Sequence, residues 1–427
     1  MTSKFKGLMV ILDGLGDGGI AGFQGKTPLE AAHTPVMDQL VREGMAALID
    51  PLHQGVPVGT HTGTGVLLGI PPKDIAHLTR GPVEAAGIGL TSEWGDILIR
   101  CNFATLEEWG DSFRIIDRRA GRIAEDTLEL VRELVDVDVG DGISATLYPA
   151  TQHRAVLKLS GEELSAAISD TDPGSAFQDR GAVRSAPQEA GTAAARTAHA
   201  LNRFTYLAHT HLDNHPVNRS RRKNGLLVAN GILCRSAGKN TQPTSLVKRL
   251  GLKGCVIAGE STVVGLAKML KFQVVSEPGF TSLPNTDLNR KVAATRAALE
   301  ENDIVFLHVK GPDICAHDKN PEEKKKLLEV FDRQLAELTN QNLVIAVTGD
   351  HSTNSNTGDH TGDPVPSLLF NPLGRRDLCT QFGESHCAGG GLGRISATGF
   401  LCSMLDAMGF MRKYKPGEST LYSSHTY

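Results

Sequence analysis

At 427 residues the chain exceeds the size at which a single hydrophobic core keeps growing, so one large domain with a substantial insertion, or two domains, is expected. Hydrophobic residues at 40%, charged residues at 22% and a mean hydropathy of -0.16 exclude a disordered or membrane-embedded chain. A formal net charge of -4 argues against a dedicated nucleic-acid binder, which needs a strongly basic face to displace counterions. The 7 cysteines form no C-x-x-C pair and read as reduced thiols. No signal-peptide core follows Met1, and no apolar run reaches about 18 residues, so a cytoplasmic location without a membrane partner is expected.

Residues 8–12 are a short continuous apolar run ending in Asp13-Gly14, the pattern of a buried parallel strand and a loop. Thr34-Pro35 supplies an N-cap and first-turn proline for a helix to about Glu43, with Val36, Leu40 and Val41 on one face and Gly44 as its stop. The character changes over 93–173. Alternating stretches at 96–100, 113–117 and 154–158 flank an amphipathic helix near 126–134, which predicts an inserted α+β lid at 93–175 on a core formed by 1–92 and 176–427. Residues 174–200, rich in Ala, Gly, Ser and Thr, read as a hinge or exposed crossing with an Ala-rich end open to helix. The basic run Arg219-Ser220-Arg221-Arg222-Lys223 reads as a solvated loop, with an anion-facing edge as the alternative. Strand-like runs at 254–258, 304–308 and 343–348 then alternate with helical stretches at 286–300 and 322–338, as in a doubly wound, mostly parallel α/β sheet.

Ligands of open α/β sheets bind at the carboxyl ends of strands, and three of these runs end in acidic or imidazole-bearing loops. The first ends at Asp13, the second leads to Asp313 and His317, and the third ends at Asp350 and His351, with His360 shortly after. Asp313 and His317 share one face of a helical turn and can chelate one ion. Adjacent Asp350 and His351 diverge from a strand tip, which suits two neighbouring ions or one ion and its surroundings. Mixed carboxylate and imidazole ligands favour zinc or manganese, admit iron, and do not resemble an all-oxygen calcium cage. A lone Asp or His is usually structural; recurrence at successive strand ends is what points to a metal centre. Gly14-Leu15-Gly16-Asp17-Gly18-Gly19 also matches G-x-G-x-x-G. A dinucleotide loop is rejected, because Lys26-Thr27-Pro28 intervenes before any helix and no second strand with a ribose-binding acid follows about 20 residues on.

The segments Leu12 to Asp17, Gly25 to Ala32, Arg100 to Thr105, Asp117 to Arg122, Asp313 to His317, Thr348 to His351 and His360 to Pro366 resemble, in this order and over nearly the whole chain, the archaeal-type cofactor-independent phosphoglycerate mutases, a branch of the alkaline phosphatase superfamily. The resemblance implies an alkaline-phosphatase type of sheet and two divalent metal ions, zinc or manganese. One would lie at Asp313, His317 and His360; the other at Asp13, Asp350, His351 and the nucleophile's oxygen. It also implies a covalent phospho-enzyme that returns the group to a different oxygen of a bound glycerate.

Where the family reads Pro-Gly-Ser-Asp-Thr-Ala-His, this chain reads Val58-Gly59-Thr60-His61-Thr62-Gly63-Thr64. Thr60 takes the serine's place and keeps a hydroxyl capable of attack. His61 and Thr64 replace an acid and an imidazole, and Val264 stands where a family lysine is expected, with Lys268 one turn further on. Substrate contacts are expected from Arg118, Arg119, Arg122, His153 and Arg154, whose planar forks suit phosphate and carboxylate, and from His61 beside the nucleophile. The function expected is metal-dependent phosphoryl transfer, through phospho-Thr60, on a small phosphorylated or phosphonylated carboxylate. A phosphomonoester or phosphonate hydrolase and an inactive metabolite-binding homologue are the alternatives. The partner is a small anionic phosphorylated metabolite, and homo-oligomerisation is left open.

Overall fold

Residues 8–12 are wholly buried. An uninterrupted apolar run demands cover on both faces, and the strand Lys6–Leu12 obtains it by lying mid-sheet between Ile304–Val309 and Leu343–Thr348, parallel to both. The computed structural model describes residues 5–110, 112–174, 181–339 and 342–413. Two units divide the chain: Met1–His77 with Pro243–Tyr427, and Leu78–Gln242.

The first unit is built on an eight-stranded sheet in the order Gln273–Val275, Gly254–Ile257, Ile304–Val309, Lys6–Leu12, Leu343–Thr348, Val365–Phe370, Met45–Asp50, Gly393–Ser396. Val365–Phe370 runs antiparallel to both of its neighbours, and the other pairings are parallel. This is the mostly parallel α/β sheet expected from the strand and helix alternation.

Register carries the functional consequence. Leu12 lies opposite Val309, and Ile11 opposite Thr348, so the residues that leave these strands, Asp13, Lys310 and the Gly349-Asp350-His351 turn, emerge side by side. The helix Thr60–Leu67 closes over that edge. It comes so near the turn that a Cβ on Gly63 would lie 1.8 Å from the carbonyl oxygen of Asp350.

The helix expected from 34 spans Pro35–Arg42, but Thr34 makes no side-chain cap bond. Asp332, on the helix Pro321–Leu335, accepts from the amides of Val36 (3.1 Å) and Met37 (2.8 Å) instead, which ties two helices together.

The second unit holds an antiparallel sheet around the 13-residue strand Ile97–Trp109, which pairs with Ser112–Asp117, Arg154–Ser160 and Gly231–Lys239. Ile97, Ile99, Cys101 and Phe103 face a core shared with Leu201, Phe204, Ala208 and Leu212 of the helix Thr192–Asp213. This unit is wider than the expected 93–175 at both ends, because that helix and the strand Gly231–Lys239 belong to it. The expected boundary at 175 lies outside the described residues. The Ala-rich end of the stretch read as a hinge is thus a 22-residue core helix whose alanines allow close packing. The basic run is likewise the last turn of the helix Pro216–Lys223 rather than a loop. There Arg221 donates to the Leu227 carbonyl at 2.8 Å and Arg222 pairs with Asp213.

Gly63→Ala is expected to lower stability by about 1–3 kcal/mol through overpacking against the 349–351 turn. Thermal melts should show the loss against Gly22→Ala, where a Cβ meets nothing within 4 Å; equal melts would mean that the helix retreats freely from the turn.

Candidate metal centre and its surroundings

Three carboxylates gather at the carboxyl edge of the first unit's sheet, each at most 1% exposed: Asp13, Asp313 and Asp350. Asp313 stands in the first turn of the helix Gly311–His317, and His317 closes the same helix. His317 Nε2 lies 3.3 Å from Asp313 Oδ2, and His360 Nε2 lies 3.5 Å from Asp313 Oδ1 and 3.2 Å from His317 Nε2. His351 Nε2 lies 3.2 Å from Asp13 Oδ1 and 3.7 Å from Asp350 Oδ2. Ligand atoms of Asp13, Asp350 and His351 fall within 4.8 Å of one another, as do those of Asp313, His351 and His360. His351 therefore stands between both groups.

The donor set fits divalent ions. Each imidazole uses Nδ1 elsewhere: His317 bonds the Gly358 carbonyl (2.6 Å), His360 that of Val58 (2.7 Å) and His351 the Thr353 hydroxyl (3.1 Å). Their Nε2 atoms are left pointing into the cluster, the arrangement in which outer partners orient metal-binding histidines. Two imidazole nitrogens 3.2 Å apart beside a carboxylate are well placed to converge on a cation.

Burial pushes the Asp13 carboxyl upward, but the charge of Lys310 and hydrogen bonds from His308 and His351 outweigh it and hold Asp13 below the ordinary carboxylate range. Asp313 is lowered in the same way: burial is outweighed by Lys310, His317 and His360. Asp350 goes the other way, raised by burial and by the negative charge of Asp13. His351 is raised to about 9, since Asp350 and Asp13 stabilise its imidazolium against burial.

Thr60 is the first residue of the helix Thr60–Leu67 and is 8% exposed. Its Oγ1 lies 2.8 Å from Lys310 Nζ and 3.5 Å from His351 Nε2. Thr64, one turn on, donates to Asp350 Oδ2 at 3.0 Å, and His61 Nε2 lies 3.2 Å from the Thr62 hydroxyl.

Sequence reasoning missed Lys310, which also bonds Asp13 Oδ1 (2.9 Å) and pairs with Asp313 Oδ2 (2.6 Å), and His308, which bonds Asp13 Oδ2 (2.9 Å). The one signal for Lys310 was position, since it directly follows an apolar strand, as Asp13 does, but a lysine there reads as a surface residue. Lys324 was missed as well. Wholly buried, it donates to the carbonyls of Gly14 (2.8 Å), Gly16 and Thr353 and pairs with Asp17 (2.7 Å). In the G-x-G-x-x-G segment carbonyls thus gather around a cation, the opposite of an anion-binding loop.

Arg118, Arg119, Arg122, His153 and Arg154 gather in the second unit. Burial and the charges of Arg122, Arg118 and Arg154 lower Arg119, and burial with Arg154, Arg119 and Arg122 pushes His153 down to about 4. The buried His153 Nδ1 makes no hydrogen bond among the described residues. Arg118 is instead held in a two-pronged bond to Asp172, at 2.8 Å on each prong.

The sequence profile of the Metalloenzyme superfamily matches residues 5–407, and the chain belongs to that superfamily. Curated relatives named 2,3-bisphosphoglycerate-independent phosphoglycerate mutase are 37% identical in Methanopyrus kandleri, over 95% of this chain and 97% of that one, and 38% identical in Methanococcus maripaludis, over 96% and 99%. Among solved structures, a Pyrococcus horikoshii protein aligns with a TM-score of 0.80 at 31% identity, over 97% of this chain and 100% of that one. The cofactor-independent phosphoglycerate mutase of Thermoplasma acidophilum aligns with a TM-score of 0.65 at 30% identity, over 95% and 100%. Within the superfamily, the chain is a member of the archaeal-type cofactor-independent phosphoglycerate mutase family.

Metal uptake by the chelator-stripped protein should release a proton from His351, whose imidazolium persists up to about pH 9. Affinity should therefore rise with pH up to that value. Calorimetric titration with Mn²⁺ near pH 7.5 in two buffers of different ionisation enthalpy checks it; a heat independent of buffer would contradict the ion pair described here.

Proposed function

We propose that this chain is a mutase-type phosphoryl transferase that carries the group on Thr60, with phosphoglycerate, the substrate after which its relatives are named, as the first to test. The observation behind this reading is a buried hydroxyl, Thr60 Oγ1, 2.8 Å from an ammonium and 3.5 Å from an imidazole that also faces two carboxylates. Two divalent ions, zinc or manganese, fit Asp313 with His317 and His360, and Asp13 with Asp350, His351 and Thr60. When bound they supply a lowered hydroxyl pKa and neutralise charge on the phosphoryl group.

The chain's own part is positioning and charge. Thr60 Oγ1 bonds to phosphorus as the bond from phosphorus to the substrate oxygen breaks, and the hydroxyl proton passes to the departing oxygen. Reversal onto the other hydroxyl of the glycerate completes the mutase cycle. Thr60 opens a helix, so the amide dipoles behind it favour negative charge building there. In the second unit, Arg119, Arg122 and Arg154 are the cationic groups offered to a substrate's carboxylate or phosphate, and His153, neutral when pushed down to about 4, offers a hydrogen bond. Burial first, and the neighbouring guanidinium charges second, lower both Arg119 and His153, which marks a dense positive cluster. Arg118, committed to Asp172, orients the 117–122 turn instead.

A cytoplasmic setting agrees with seven cysteines that are all free thiols. No helix among the described residues is long and apolar enough to cross a membrane.

Thr60→Ala should abolish interconversion of 3- and 2-phosphoglycerate while leaving the fold within a few kcal/mol of wild type. Thr60→Ser should keep measurable activity. Mass spectrometry of enzyme quenched with substrate should show a phosphoryl adduct on Thr60. Phosphate release without isomer would assign a hydrolase, and near-normal turnover by Thr60→Ala would remove the phospho-enzyme altogether.

A further inference from the structure

The oxygens directed into the metal centre are already shared by a cation that the chain itself supplies. Lys310 leaves the carboxyl end of Ile304–Val309 with its side chain only 9% exposed. Its ammonium lies 2.9 Å from Asp13 Oδ1, 2.8 Å from Thr60 Oγ1 and 2.6 Å from Asp313 Oδ2. Asp13 and Asp313 belong to the two different ion sites proposed above, so this one ammonium spans both. It cannot stay on those two oxygens once divalent ions take them, because like charges a few ångströms apart repel strongly in a buried site.

We propose that Lys310 is a resident counter-cation and a catalytic residue of this centre. In the metal-free protein it neutralises Asp13 and Asp313. As ions load it is displaced from both but, anchored at the carboxyl end of Ile304–Val309, stays beside Thr60, and there sets a positive charge against the transferring phosphoryl group. The catalytic half rests on the Thr60 reading; the counter-cation half rests only on Asp13 and Asp313 being ligands. The sign of one measurement separates this role from a structural one. A lysine that merely orients the carboxylates would help ions to bind, whereas a counter-cation competes with them.

The test uses wild type, Lys310→Met and Lys310→Arg. Chelator-stripped protein is titrated with Mn²⁺ by calorimetry, and Mn²⁺ release into excess EDTA is followed for protein prepared with the ion. Lys310→Met should bind Mn²⁺ about tenfold more tightly or better and release it correspondingly more slowly, whereas Lys310→Arg, which keeps the charge, should stay near wild type. At saturating Mn²⁺, phosphorylation of Thr60 in Lys310→Met should fall about a hundredfold. Unchanged or weaker Mn²⁺ binding in Lys310→Met overturns the counter-cation. If the stripped variant does not fold, the release rate decides alone, and an unchanged or faster rate overturns it. A wild-type rate of Thr60 phosphorylation in Lys310→Met overturns the catalytic half. Ion affinity and release are read without substrate, so a failure of the phosphoryl-transfer reading, seen as wild type forming no Thr60 adduct, stays distinct from either outcome.

Discussion

Three carboxylates that share one dry site set the terms for the first unit. Taking an ionised carboxylate out of water carries a penalty of several kcal/mol even after relaxation, so none of them is tolerable without a cation or a dense set of donors. Asp13 obtains Lys310, His308 and His351; Asp313 obtains Lys310, His317 and His360. Asp350 is provided for least, with the Gly14 amide at 3.2 Å, the Thr64 hydroxyl at 3.0 Å and His351 at 3.7 Å, and its carboxyl is the one held above the ordinary range. Three carboxylates set against one ammonium and one imidazolium leave a negative surplus, which favours cations at this site. A smaller version stands alongside at Asp17, where Lys324 supplies the charge and Ser355 two further donors.

Such an arrangement survives only if the backbone delivers its members without slack. The parallel register does most of this, since strands paired Leu12 to Val309 and Ile11 to Thr348 end together. Close approach does the rest. A side chain on Gly349 would come within 2.8 Å of the Leu12 carbonyl oxygen, and one on Gly63 would strike Asp350, so the three segments pack backbone to backbone where glycine alone leaves room. Lys324, bonded to both the 14–16 loop and Thr353, pins together the two segments that carry Asp13 and His351.

What could be read from sequence follows from which forces act locally. Asp13 and Asp350 were legible because a short apolar run cannot end inside a sheet on an acid unless that acid has a partner waiting. Asp313 and His317 were legible because helical spacing alone puts them on one face. Lys310 and Lys324 were not, because lysine is normally a surface residue and only tertiary structure decides otherwise. Lys324 sits in a Glu322-Glu323-Lys324-Lys325-Lys326 run that looks like a solvated face, yet it aligns with Leu327, Leu328 and Phe331 on the helix's buried stripe. The extent of the second unit was hidden for a related reason. The strand Gly231–Lys239 has only a short apolar run, Ile232 to Cys234, and the helix Thr192–Asp213 begins in small residues that resemble a linker; both pack on Ile97–Trp109 or its core.

The unusual segment at 60–64 becomes intelligible against this charge balance. Thr60 and Thr64 lie four residues apart on one helix, so their hydroxyls share a face: Thr64 donates to Asp350 while Thr60 turns to Lys310 and His351. Thr64 brings the least compensated carboxylate a hydroxyl donor and no charge, and Val264 brings none from the helix Ser261–Met269. Compensation therefore shifts toward bound ions and toward Lys310, the ammonium in contact with Thr60. At Thr60 itself, β-branching restricts χ1 and leaves the hydroxyl fewer orientations than a serine's would have. The oxygen is thus held toward its cations before any substrate arrives, and the added methyl must pack beside whatever phosphoryl group is brought to it. In the phosphoryl-transfer reading proposed above, preorganisation and a narrower substrate range would then come from one atom group.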